Sequence, residues 1–214
     1  MRTLVLLSMF TLAAGYSDAV AFFGLGVFTA NMTGNTVLLA GALAAPFVPH
    51  FPGMLRLDLP AISIVCFSLG AALAAIVLRR ETGRPPVRTM AVAALGAALL
   101  VAAALVFSRT AGARLIPLCV ALLSTVMGLQ SVIAMRAGVP GISTTFVTGT
   151  IVTAILDFFG STPRPEKRGE GVSNALTWAL YLAGAFAGTL GLGELGNRAL
   201  WPAAVVVALL IPVL

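Results

Sequence analysis

The chain has 214 residues, 59% of them hydrophobic and 9% charged, with a mean hydropathy of +1.05. A soluble domain dresses its surface with about 25% charged residues, so a water-soluble globule is excluded and the outer surface has to face lipid. The net charge of +6 lies between apolar runs, where Lys and Arg flank membrane spans. No aromatic-plus-basic stretch is present to clamp nucleic acid, which is excluded as a partner.

At about 20 apolar residues per span, the chain reads as one membrane domain over 1–214, an all-α polytopic transmembrane bundle of seven or eight helices. The first apolar run covers about 3–24. Met1-Arg2 ahead of it resembles a signal peptide cut near Ala13-Ala14. The residues just beyond belong to the repeat described below, so the run is read as an uncleaved span. The second run, about 27–46, leads into a Pro-rich connection holding Arg56, Asp58 and the only histidine, His50, read as a loop residue. The third, about 59–79, ends in the basic turn 79–88. Runs at about 89–107, 114–136 and 142–160 follow, then the polar loop 161–171 and runs at about 173–193 and 199–214. Cys66 and Cys119 lie inside apolar runs and read as small buried hydrophobes. Metal-ligand spacing is absent, so neither metal nor cofactor is expected. If all eight runs cross, the Lys and Arg residues divide seven against six between the two faces, and the positive-inside rule gives no orientation. A re-entrant or broken run would lower the count to seven.

Self-similarity is the most informative feature. Gly26, Thr29, Thr33 and Gly34 recur as Gly141, Thr144, Thr148 and Gly149. Upstream, Gly15-Tyr16-Ser17-Asp18 aligns with Gly128-Leu129-Gln130-Ser131; downstream, Phe67-Ser68-Leu69-Gly70-Ala71 aligns with Tyr181-Leu182-Ala183-Gly184-Ala185. The expectation is a duplicated three-helix unit, 3–79 and 114–193, with 89–107 as a linker helix and 199–214 as a terminal helix. The units are parallel if the linker spans and inverted if one run does not. Transporters use both arrangements, with sites between repeats near the bilayer midplane.

These same residues resemble the YoaK-like family of small bacterial multi-span membrane proteins. The resemblance rests on Gly15-Tyr16-Ser17-Asp18, Ala30-Asn31-Met32-Thr33-Gly34-Asn35, Gly128-Leu129-Gln130 and Thr144-Thr145-Phe146-Val147-Thr148-Gly149-Thr150, and runs from the first span to about residue 190. It implies a multi-pass protein of the bacterial inner, cytoplasmic membrane and implies no activity. Ser131 departs from the asparagine that the resemblance leads one to expect.

Asp18 is the only acidic residue deep in an apolar run. A charge there costs about 2.5–3.5 kcal/mol on insertion scales, so it is read either as a ligand for a cation, a proton or a polar solute, or as a paired group that fixes packing. Asn31, Thr33, Gly34 and Asn35 form a polar knot at the start of the second run, mirrored by Thr144, Thr148, Gly149 and Thr150. Half-helix ends of this kind hold ions and substrates in transporters, and small residues equally serve close packing. Gln130 matches Ser17, and Arg136 either caps its helix or pairs with Asp18. The candidate substrate-binding set is Asp18, Asn31, Thr33, Gly34, Asn35, Gln130, Thr144, Thr148, Gly149 and Thr150. No nucleophile-base set or phosphate loop is present, so an enzyme is not expected. One reading is a small-solute transporter or permease with its site between the repeats. The alternative is a non-transporting assembly or partner-binding protein acting through the basic loops 79–88 and 161–171. The partners implied are the lipid bilayer and a small solute, cation or proton, and a homo-oligomer is left open.

Overall fold

A computed structural model describes residues 2–48, 56–80, 87–109, 113–136, 147–160 and 171–210. Among them are eight α-helices and no strand: α1 Arg2–Leu25, α2 Met32–Ala44, α3 Asp58–Leu78, α4 Val87–Phe107, α5 Ile116–Arg136, α6 Val147–Phe158, α7 Gly171–Leu195 and α8 Trp201–Leu210. By length and composition α3, α4, α5 and α7 can each cross a membrane. α1 is as long, with 24 residues, and carries Asp18. Their outer faces bear large apolar side chains such as Leu69, Ile76, Phe186 and Leu190, a surface suited to hydrocarbon and not to water.

The second run is not one helix. Residues 27–31 are non-helical, and α2 begins only at Met32. Gly26, at φ 77°, closes α1 in the left-handed conformation that glycine adopts without strain, and its N–H returns to Phe22 O at 2.9 Å. α2 then has 13 residues, about 20 Å at 1.5 Å per residue, against a hydrocarbon core of about 30 Å. α6 has 12 described helical residues, Val147–Phe158. Its last turn meets the first turn of α7, where Asp157 Oδ2 accepts from Gly171 N at 3.0 Å.

Two glycine seams hold the long helices. On one, Gly184 and Gly188 of α7 lie against the backbone carbonyls of Leu12 and Tyr16, and Gly15 of α1 lies against that of Tyr181. On the other, Gly128 of α5 lies against the carbonyl of Phe67, and Gly70 of α3 against that of Thr125. Any Cβ at these points would overlap a backbone atom, so the close approach depends on glycine, as at other tightly packed membrane helices. The register advances in the same sense along both partners, from Leu12/Gly184 to Tyr16/Gly188 and from Ser63/Ser124 to Phe67/Gly128. α1 and α7 are therefore parallel, and so are α3 and α5.

Other contacts set the remaining directions. Cys119 of α5 approaches Ala103 O of α4 at 3.7 Å, while Leu129 approaches Gly96, so these two helices are antiparallel. The end of α4 meets the start of α8: Trp201 Nε1 donates to Ser108 Oγ at 3.1 Å and Asn197 Nδ2 to Ser108 O at 2.8 Å. Gly24, near the end of α1, faces Phe107, at the end of α4. Thus α1, α4 and α7 run one way and α3, α5 and α8 the other. Because α3 reverses α1, the segment between them makes no net crossing of the bundle.

Replacing Gly128 or Gly184 by Val should cost at least the ~1–3 kcal/mol typical of overpacking. Gly193→Ala, where nothing stands within 4 Å of the new methyl, should leave stability unchanged or slightly raised. Unfolding midpoints of the purified variants in detergent check both.

Candidate functional site

Non-helical backbone inside an apolar bundle needs hydrogen-bond partners, and residues 28–30 receive theirs from two side chains. Asp18 Oδ1 accepts from Thr29 N at 2.6 Å, Ala30 N at 2.8 Å and Thr29 Oγ1 at 3.1 Å. Its other oxygen, Oδ2, accepts from Tyr181 OH on α7 at 2.6 Å. Asn35, one turn into α2, accepts from Phe28 N through Oδ1 at 3.0 Å and donates from Nδ2 to Phe28 O at 2.7 Å. The same Nδ2 donates to Ser63 Oγ at 2.8 Å, which also bonds Phe28 O and lies 2.8 Å from Ser124 Oγ. One polar chain thus joins α2, the 27–31 segment, α3 and α5, and a second joins that segment to α1 and α7.

Each element places its member for a local reason. α1 is continuous through Asp18, and the Gly26 turn brings the chain back beside it, so a carboxylate eleven residues upstream meets two backbone N–H groups. Asn31 is the N-cap of α2, its Oδ1 accepting from Gly34 N at 3.1 Å. Gly34 leaves room for the ring of Phe28, which stacks on Phe22 with centroids 4.3 Å apart.

The structure sorts the sequence candidates. Asp18 and Asn35 are buried and engaged within the fold. Asn31, Thr33 and Gly149 are exposed, and Thr150 is buried in the first turn of α6. Thr148 lies in the same turn, its side chain outside the described residues; Thr144, His50, 81–86 and 161–170 also lie outside them. Arg136 is exposed, at the end of the bundle opposite the end of α1, and does not pair with Asp18, whose partners are Tyr181, Thr29 and Ala30. Gln130 is buried with neither Nε2 nor Oε1 bonded, and Ser17 Oγ is likewise unpartnered. An apolar cavity of about 330 Å³ between α6 and α7, lined by Ile155, Phe158 and Val172 among others, involves none of the candidates. Ser63, Ser124 and Tyr181 escaped sequence reasoning. Lone serines in apolar helices read as bonding to their own preceding turn, and only their repeat positions could have flagged them.

The architecture is that of a membrane-integral, all-helical protein with an internal backbone break. The chain belongs to the family described as a protein of unknown function, DUF1275, whose model matches residues 6–213. It is 33% identical over 207 residues to the UPF0700 transmembrane protein YoaK of Bacillus subtilis (strain 168), covering 92% of this chain and 87% of that relative. No solved structure matches.

Asp18→Ala leaves the Thr29 and Ala30 amides without their acceptor and should cost about 1–3 kcal/mol for each. Asp18→Asn, which keeps an acceptor oxygen, should cost less. Tyr181→Phe should cost about 1.5–3 kcal/mol, the range for a hydrogen bond to a charged group. Thermal unfolding in detergent ranks the three.

Proposed function

We propose that the chain is a multi-pass protein of the bacterial cytoplasmic membrane that moves a small solute through a site between two inverted repeats. The observation that carries this is the non-helical 27–31 segment, with Val27, Thr29 and Ala30 buried, and the half-length helix that follows it. Irregular backbone at membrane depth is tolerated only where protein or a cavity surrounds it, and discontinuous helices of this kind build substrate sites in transporters.

The duplication has wide structural support. At an offset of 113–115 positions the described spans of α1, α2, α3 and α4 overlay those of α5, α6, α7 and α8 in order. The repeated unit therefore holds four elements, with α4 and α8 as counterparts in place of a linker and an extra helix. The seams exchange under the same register: Gly15 on Tyr181 becomes Gly128 on Phe67, and Gly184 on Leu12 becomes Gly70 on Thr125. Of the twelve buried polar residues, ten form five matched pairs, Thr11/Ser124, Ser17/Gln130, Asp18/Ser131, Asn35/Thr150 and Ser63/Thr177. Since α1 and α5 run oppositely, the units are inverted, related by an axis in the membrane plane.

Taking α1, α3, α4, α5 and α7 as crossing helices and α2 and α6 as half-helices also resolves the charge problem. With α2 and α6 returning to the face they entered from, one face collects Arg2, Arg79, Arg80, Arg84, Arg88, Arg136, Arg164, Lys167 and Arg168, and the other Arg56, Arg109, Arg114 and Arg198. Nine against four orients the N-terminal face to the cytoplasm by the positive-inside rule.

Alkaline phosphatase fused after residue 52 or 111 should be active, and after 83 or 165 inactive. Eight full crossings would put 52 and 165 on the same face, so equal activity at those two points contradicts the scheme.

A further inference from the structure

Among the described residues the buried side-chain atoms without a hydrogen-bond partner are Tyr16 OH, Ser17 Oγ and both ends of the Gln130 amide. All are neutral. The one buried charged residue, Asp18, already has both oxygens occupied. Ser17 is 0% and Gln130 4% exposed, so neither is satisfied by bulk water, and an apolar side chain in place of Gln130 would spare the fold an unpaired amide. The two occupy the same position of the repeat.

Both also turn the same way. On α1 the seam with α7 is made by Leu12, Gly15 and Tyr16. Ser17 lies on the side of α1 opposite Gly15, two turns before Gly24, which faces both Phe107 of α4 and Leu192 of α7. On α5 the seam with α3 is made by Thr125 and Gly128, and Gln130 lies opposite. α1 and α5 touch each other directly. Because they are antiparallel, Ser17 sits toward one face of the membrane and Gln130 toward the other, in series along the bundle.

We propose that the conducted solute is small and uncharged, carries both a hydrogen-bond donor and an acceptor, and is held at two polar stations, Ser17 in one half and Gln130 in the other. This rests on the transport reading above and specifies its substrate. An amide and a hydroxyl each donate and accept without bringing a charge.

The test is stopped-flow light scattering of proteoliposomes with urea and glycerol as neutral probes and methylammonium and formate as charged ones. It is run on wild type, Gln130→Leu and Ser17→Ala, with the unfolding temperature of each. Urea or glycerol should equilibrate at least tenfold faster than in protein-free vesicles, and the charged probes no faster. Gln130→Leu should lose that acceleration with its unfolding temperature unchanged or raised; should it not fold, Ser17→Ala carries the same readout. Conduction of a charged probe in place of the neutral ones overturns the substrate class and leaves transport standing. Undiminished neutral flux in the folded variants overturns the stations. If no probe moves, the transport reading fails and this inference falls with it.

Discussion

The pairing of Asp18 with the backbone of Thr29 and Ala30 is the interaction on which the rest of the arrangement depends. Hydrocarbon offers no hydrogen bonds, so membrane-spanning backbone is confined to helices and closed barrels unless side chains take over the work of water. Residues 27–31 here leave the helical ladder, and one carboxylate and one carboxamide meet the N–H groups of residues 28–30. Asp18 also holds Tyr181, and through it α7, which ties the break to the Gly15–Gly184 seam. Asn35 reaches Ser63 and Ser124 beside the Gly70–Gly128 seam. The break is thus fastened to both helix pairs that form the body of the bundle.

That fastening changes what an acidic residue in an apolar run signifies. The cost of a buried charge is conventionally weighed against a ligand or a proton; here much of it is offset by three hydrogen bonds to the non-helical segment and one to a phenol. The same break sets the architecture. A half-helix that begins inside the bundle returns to the face it came from, α3 then reverses α1, and the second half follows the reverse course.

Helix content and the apolar runs were legible in the sequence because hydropathy records them directly. The break at 27–31 was not. Val27, Phe28 and Ala30 are as apolar as a helix interior, and the carboxylate that accepts from the Thr29 and Ala30 amides lies eleven and twelve residues upstream, beyond any local periodicity. Asp18 was legible as unusual, but whether it serves backbone or ligand is set by the Gly26 turn. Gln130 read as an ordinary cross-helix hydrogen-bonder, and its lack of a partner is a property of packing.

Segment-resolved hydrogen exchange across residues 26–31 in detergent micelles tests this account most directly. Protection of the Thr29 and Ala30 amides comparable to that of α1, lost in Asp18→Ala while α4 and α5 stay protected, is the predicted result. Exchange of those amides in the wild type at the rate of an open loop would contradict it.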